Sequence, residues 1–243
     1  MADLLATIAL HWTLIGLLAL AIRYLFRQPV NTVALAWALG CTLVYFVAVM
    51  LVGGLQAHLP LLAGLQFNWT GKTIAIVLTL VMMMAVPGAT RQEFGLVLRQ
   101  TPGSLMPAIL VTAGLCAFAW GIRWLLGAHG TATPEALLYQ ATMPGLDEEL
   151  FFRGLLLALL VRAFADRWPL GGAAIGPGAI VATFLFAAGH ALMIRGGVFM
   201  FEPVFLAFSA VLGFGLLWIR QRTGSLLLPI IAHNIIDLGG ALL

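Results

Sequence analysis

Asp147-Glu148-Glu149-Leu150-Phe151-Phe152-Arg153-Gly154 sets four formal charges side by side in a chain that otherwise holds few. At membrane depth each charged side chain costs about 2.5–3.5 kcal/mol on insertion scales. That cost has to be offset by partners. On a helix, Glu149 and Arg153 stand four residues apart and form an ion pair on one face, while Glu148 is rotated by about 100° onto a neighbouring face and is left for other work.

The surrounding composition explains why membrane depth is the right frame. Of 243 residues, 62% are hydrophobic and 9% charged, with a mean hydropathy of +1.06. A soluble domain carries about 25% charged residues, so this chain reads as a polytopic, all-α membrane bundle forming a single integral-membrane domain over 1–243. Met1-Ala2-Asp3 lacks a basic leader region, and the apolar run from Leu4 to Phe26 is too long for a signal-peptide core, so it is expected to be the first span. Cys41 and Cys116 lie in apolar runs at no metal-ligand spacing and read as small buried hydrophobes. The net charge of +3 comes from scattered arginines, which fit loop topology and no nucleic-acid partner.

Spans are expected at 4–26, 30–51, 73–86, 105–126, 146–164, 173–193, 204–220 and 225–243, eight in all. Arg23 and Arg27, Arg91 and Arg99, Arg162 and Arg167, and Arg220 and Arg222 follow the odd-numbered spans, which puts those loops in the cytoplasm and both termini on the far side. The remaining loops hold only Lys72 and Arg195, with Arg123 near the outer end of span four. Residues 90–100 form either a short interfacial helix or a polar connector, and 127–134 form a loop. Pro134 is placed to start a short helix leading to a break at Pro144-Gly145.

Two later spans also carry ionisable residues: Phe186-Ala187-Ala188-Gly189-His190, and His233-Asn234-Ile235-Ile236-Asp237. At 1.5 Å per residue, counted from the cytoplasmic ends, Glu148, His190, His233 and Asp237 all fall at about 16–22 Å, in one slab of the membrane. His11 taken alone is a hydrogen-bonded packing residue, and His58 and His129 fall in loops. For the set of Glu148, Glu149, Arg153, His190 and His233, so many costly groups at one depth ask for a common reason, and that reason is a site.

Taken in order, Glu148-Glu149-x-x-x-Arg153, Phe186-x-x-x-His190 and His233-x-x-x-Asp237 resemble the three motifs of the CPBP intramembrane proteases, which include CaaX prenyl endopeptidases and bacterial Abi-type proteins. The resemblance covers about 145–243, the motif-bearing core. It implies an endopeptidase in which Glu148 activates water with help from His190. His233 and the residue four later stabilise the oxyanion, and Glu149 and Arg153 are the supporting pair. One departure stands out: the last position is often Asn in that family, and here Asp237 when ionised can only accept a hydrogen bond. Asp237 is therefore protonated, or orients His233, or leaves Asn234 to take part; orientation of His233 is the favoured reading.

The residues allow other readings. Glu148, His190 and His233 also make a possible zinc set, although no His-Glu-x-x-His spacing is present and a metal-free, cofactor-free reaction is preferred. Intramembrane carboxylates and histidines also mark proton-coupled transporters, and a non-catalytic immunity or scaffold protein could retain the motif for packing. The expected partners are the lipid bilayer and a membrane-associated peptide or protein substrate, such as an exported peptide or a C-terminal anchor. The expected location is a bacterial or archaeal plasma membrane.

Overall fold

The computed structural model describes residues 1–26, 29–128, 130 and 132–243. Arg27, Gln28, His129 and Thr131 lie outside the described residues, and with them the assignment of Arg27 to a basic loop and of His129 to a connector. Of the described residues, 74% are helical. In order come α1 (Ala2–Phe26), α2 (Thr32–Phe46), α3 (Trp69–Ala85), the single turn α4 (Arg91–Phe94), α5 (Leu105–Leu125), α6 (Pro134–Glu148), α7 (Leu157–Ala163), α8 (Pro177–Ala191), α9 (Pro203–Thr223) and α10 (Leu227–Leu242). Helix α2 continues through a π segment (Val47–Val52) and a 3-10 segment (Gly53–His58), and α6 joins α7 through a π segment (Glu149–Leu156).

Among the described residues, four helical runs, Ala2–Leu25, Thr32–His58, Leu105–Leu125 and Pro203–Thr223, are long and apolar enough to cross a membrane. Trp69–Ala85, Pro177–Ala191 and Leu227–Leu242 are shorter apolar helices. The run through α6 and α7 differs from these by its charges and sits at the centre: Phe151, Leu155, Leu156, Leu159 and Leu160 on it are buried. A helix buried on all sides belongs in the middle of a bundle, and here its charges are buried with it.

Two short hairpins are inserted between the helices. Strand β1 (Trp168–Leu170) pairs antiparallel with β2 (Ala173–Ile175), and β3 (Leu192–Arg195) with β4 (Val198–Phe201). Each turns on a glycine pair at positive φ, Gly171-Gly172 at 57° and 82° and Gly196-Gly197 at 60° and 73°. A two-residue hairpin loop of this hand needs positive φ at both positions, which only glycine adopts freely. The hairpins bracket α8 and trim the span expected at 173–193 to Pro177–Ala191.

The break expected at Pro144-Gly145 is absent, because α6 runs through Pro144 to Glu148. A neighbouring helix repairs the interrupted ladder, with the Gly145 amide donating to Asn234 Oδ1 on α10 at 2.7 Å. Residues 90–100 form one helical turn, closed by a reciprocal Thr90–Glu93 cap and ended by Gly95 at φ 72°. Phe94 is buried, and Arg162 at the end of α7 pairs with Glu93 at 2.9 Å. Slight burial pushes the Glu93 carboxyl up, but hydrogen bonds from Thr90 and Arg162 outweigh it and hold the group below its ordinary range.

Two arrangements bring the N-terminal half to the acidic stretch. Glu135, in the first turn of α6, accepts from the Gln66 and Phe67 amides and from Trp69 Nε1, which fixes the start of α3 beside α6. Asn68 caps α3 through the Gly71 amide and donates to Val49 O in the π segment of α2. On the other side, α6 and α10 approach so closely that a Cβ on Gly145 would lie 2.5 Å from Ile230 O. Gly145→Ala is expected to destabilise the protein by about 1–3 kcal/mol, as overpacked cores do. Thermal unfolding in detergent checks this, and an unchanged midpoint would mean that the two helices are not in contact there.

Candidate active site

Three consecutive acids face three different surroundings. Asp147 is fully buried and accepts from Tyr45 OH on α2 at 2.9 Å, and its Oδ2 lies 3.3 Å from Lys72 Nζ on α3. Glu148 holds Lys72 Nζ against Oε1 at 2.6 Å. Glu149, also fully buried, takes Arg153 Nη1 at 2.9 Å and His233 Nδ1 at 2.7 Å on a single oxygen, Oε1. The π segment beginning at Glu149 lies where this division occurs, in keeping with the tendency of such segments to mark functional positions.

Arg153 is held on three sides. Its Nη2 donates to Gly213 O on α9 at 3.1 Å, and its guanidinium carbon lies 3.9 Å from the centre of the Phe186 ring. Gly213 permits this approach, since a Cβ there would meet Phe186 at 2.7 Å and Arg153 at 3.3 Å. Phe186 also stands against His190, ring centres 4.7 Å apart, so one aromatic ring supports both the arginine and the imidazole.

The two histidines point the same nitrogen at Glu148. His190 Nδ1 lies 2.8 Å from Phe186 O and His233 Nδ1 lies 2.7 Å from Glu149 Oε1. A carbonyl and a carboxylate only accept, so both Nδ1 atoms carry hydrogen and both Nε2 atoms are free for chemistry. Each Nε2 stands 3.9 Å from Glu148 Oε2, an oxygen with no hydrogen-bond partner among the described residues. That separation is too long for a direct hydrogen bond and suits one bridging water.

Glu148, His190, His233, Asp237 and Lys72 line a cavity of about 250 Å³. It shares Gln140, His190, Phe208, Leu212, Ile236 and Asp237 with a second cavity of about 440 Å³ that reaches Arg123 and Gly130. His190 is the more open imidazole, its side chain 43% exposed against 8% for His233.

The structure changes two of the expected contacts. The hydrogen bond that orients His233 is donated by its Nδ1 to Glu149 Oε1, not to Asp237. The i,i+4 spacing on α10 sets Asp237 on the cavity side, with Oδ2 3.5 Å from Nε2. Asn234 is engaged by the Gly145 amide. Sequence reasoning passed over Lys72, assigning it to an outer loop, and gave Tyr45 and Asp147 no part. A lysine entering an apolar run was the available signal, since an ionisable group within a span calls for a partner.

The residues as placed do not fit a zinc ion. Two ligand atoms on a tetrahedral zinc at about 2.0–2.1 Å stand roughly 3.3–3.4 Å apart, whereas Glu148 Oε2 is 3.9 Å from either imidazole. The carboxylate's other oxygen already faces the Lys72 ammonium. Among the described residues, no group of three His, Cys, Asp or Glu is arranged to hold a metal ion.

The buried Glu149–Arg153 pair has a measurable signature. Removing one partner strands the other at about 3–5 kcal/mol, whereas removing both can be nearly neutral. Glu149→Gln and Arg153→Met should therefore each lower the unfolding temperature more than the double variant does. The double variant keeps an oxygen for His233 in the Gln side chain. Simple additivity in that double-mutant cycle would refute the coupling.

Residues 130–239 match the family model described as Type II CAAX prenyl endopeptidase Rce1-like. Searches of curated proteins and of solved structures gave no match. The matched segment contains Glu148, Glu149, Arg153, Phe186, His190, His233, Asn234 and Asp237, while Tyr45 and Lys72 lie outside it. The acidic stretch and the two histidine motifs thus meet at one cavity, within a segment that is similar to the Rce1-like type II CAAX prenyl endopeptidases, a family of peptidases.

Proposed function

We propose that this protein is a glutamate-type intramembrane endopeptidase, hydrolysing a peptide bond of a membrane-associated peptide or protein with water activated by Glu148. The observation that carries the reading is the convergence of Glu148 Oε2 with His190 Nε2 and His233 Nε2, 3.9 Å each, in a cavity that continues into a larger one. A water donating one hydrogen to Glu148 and the other to His190 keeps a lone pair for the substrate carbonyl. Glu148 takes the proton as the C–O bond forms, and the tetrahedral intermediate then breaks its C–N bond as the amine takes that proton back. His233, once protonated at Nε2, is a donor for the oxyanion, held in place from behind by Glu149. No step uses a metal, so activity is expected to persist after exhaustive treatment with 1,10-phenanthroline. Loss under chelation with recovery on added zinc would replace this chemistry with a metal-dependent one.

Glu148→Gln, His190→Ala and His233→Ala are each expected to lower the cleavage rate by about 10²–10⁴-fold, typical for loss of a general base or its partner. The variants should still insert and fold. Full activity in well-folded Glu148→Gln protein would end the assignment. Proteins trapped by that variant would identify the substrate, for which exported peptides, lipoprotein-like precursors and C-terminal anchors are the classes considered.

The eight-span reading with both termini outside belongs to the same proposal. It puts the loop that follows α5 on the non-cytoplasmic side and the turn near Arg99 in the cytoplasm, so the larger cavity, which reaches Arg123 and Gly130, opens outward. Cysteines placed at the exposed positions Ala128 and Arg99, in a background lacking Cys41 and Cys116, should react with an impermeant thiol reagent in intact cells at 128 and not at 99. The opposite pattern would reverse the orientation and the side of cleavage.

A further inference from the structure

We infer that Lys72 supplies the second oxyanion donor of this site, an inference that rests on the peptidase reading above. Attack on a peptide carbonyl moves negative charge onto its oxygen, and donors already aimed at that position stabilise it. The family pattern provides a histidine and, four residues later, an asparagine amide. Here that position is Asp237, which as a carboxylate has no hydrogen to give. Asn234, the nearest alternative in sequence, receives the Gly145 amide at 2.7 Å and does not line the cavity.

The cavity itself names the replacement. Tyr139, Gln140 and Ser209 line it with neutral groups, and among the described residues that line it Lys72 is the only lysine or arginine. An ammonium has three hydrogens. One meets Glu148 Oε1 at 2.6 Å and a second faces Asp147 Oδ2 at 3.3 Å, which leaves the third for the cavity that Lys72 lines.

The ammonium is also rigidly held, as a donor must be to act without reorganising. Lys72 sits in the first turn of α3, which Asn68 caps and the Glu135 contacts fix. Its second acceptor, Asp147, is pinned by Tyr45, whose ring stacks on Phe151 at 3.8 Å between centres. The two oxygens of the base then have different neighbours: Oε2 faces the two imidazole nitrogens and Oε1 faces the ammonium. On this inference, a carbonyl attacked from the Oε2 side turns its oxygen toward Lys72. The step balances without redox chemistry. The water oxygen bonds to carbon, its proton passes to Glu148 Oε2, and the carbonyl π pair becomes the oxyanion that Lys72 and His233 hold. The C–N bond then breaks, and the amine leaves with the proton from Glu148.

The test uses the full-length protein in proteoliposomes and an internally quenched decapeptide library as substrate, with wild type and Glu148→Gln run alongside. Lys72→Met is expected to lower kcat by about 10²–10³-fold, as removal of one oxyanion donor does elsewhere, with KM changed less than about threefold. The decisive arm is Asp237→Asn in the Lys72→Met background. It restores an amide donor at the family position and should return at least about tenfold of the lost kcat, whereas Asp237→Ala in the same background, which removes the same charge without supplying a donor, should return less than about twofold; equal recovery in the two overturns the inference. A kcat within about threefold of wild type in Lys72→Met, or no recovery with Asp237→Asn, overturns the inference. Should Lys72→Met fail to fold, Lys72→Gln keeps a neutral donor beside Glu148; it is expected to lose at least about tenfold in kcat at an unchanged unfolding temperature, and wild-type turnover in it also overturns the assignment. Absence of cleavage by wild type removes the peptidase reading itself, whereas cleavage that survives loss of Lys72 removes only this donor.

Discussion

The Lys72 ammonium against Glu148, with the Arg153 guanidinium against Glu149, is the interaction around which the rest of the bundle is arranged. Four carboxylates, Asp147, Glu148, Glu149 and Asp237, meet two permanent cations and two imidazoles in one region of the bundle. Buried ion pairs contribute little net stability, because desolvation cancels most of the attraction, yet breaking one is costly. Such pairs therefore fix which helix lies beside which. Helix α3 must bring Lys72, α2 must bring Tyr45, α10 must bring His233, and α8 and α9 must bring Phe186 and the Gly213 carbonyl around Arg153.

Distributing partners in this way turns three neighbouring acids into three chemically distinct groups. Asp147 is tied to a phenol and an ammonium, and Glu149 to a guanidinium and an imidazole. Of the three, only Glu148 lines the cavity. The surrounding contacts hold its imidazole neighbours in place: Phe186 carries His190 from behind through its carbonyl, and Glu149 carries His233 through its carboxylate. A base and two imidazoles arranged by partners on their far sides are ready before substrate arrives, which is how preorganised polar groups act most strongly.

The site also crosses the boundary of the family match. The segment 130–239 supplies the glutamates, the arginine and the histidines, but Lys72 and Tyr45 come from the half of the chain before it. Glu135 connects the two halves by taking the amides that precede α3. Close approach without side-chain bulk does the same for α6 and α10 at Gly145 and for α9 and the arginine at Gly213.

By itself the sequence determined the membrane character, through a hydrophobic content that leaves too few charges for a soluble surface. It also determined the positions of the apolar helices, the i,i+4 partnership of Glu149 with Arg153, and the three ordered motifs, because these depend on local spacing along one helix. Hairpins at Gly171-Gly172 and Gly196-Gly197 were written in the glycine pairs too, but their apolar flanks read as helix. Only the tertiary structure decided that Lys72 leaves the loop for Glu148, that Glu149 rather than Asp237 orients His233, and that Asn234 keeps α6 unbroken at Pro144. Each of those contacts joins residues from 76 to 89 positions apart, and which buried polar group satisfies which is settled by how whole helices pack, a choice that no local pattern encodes.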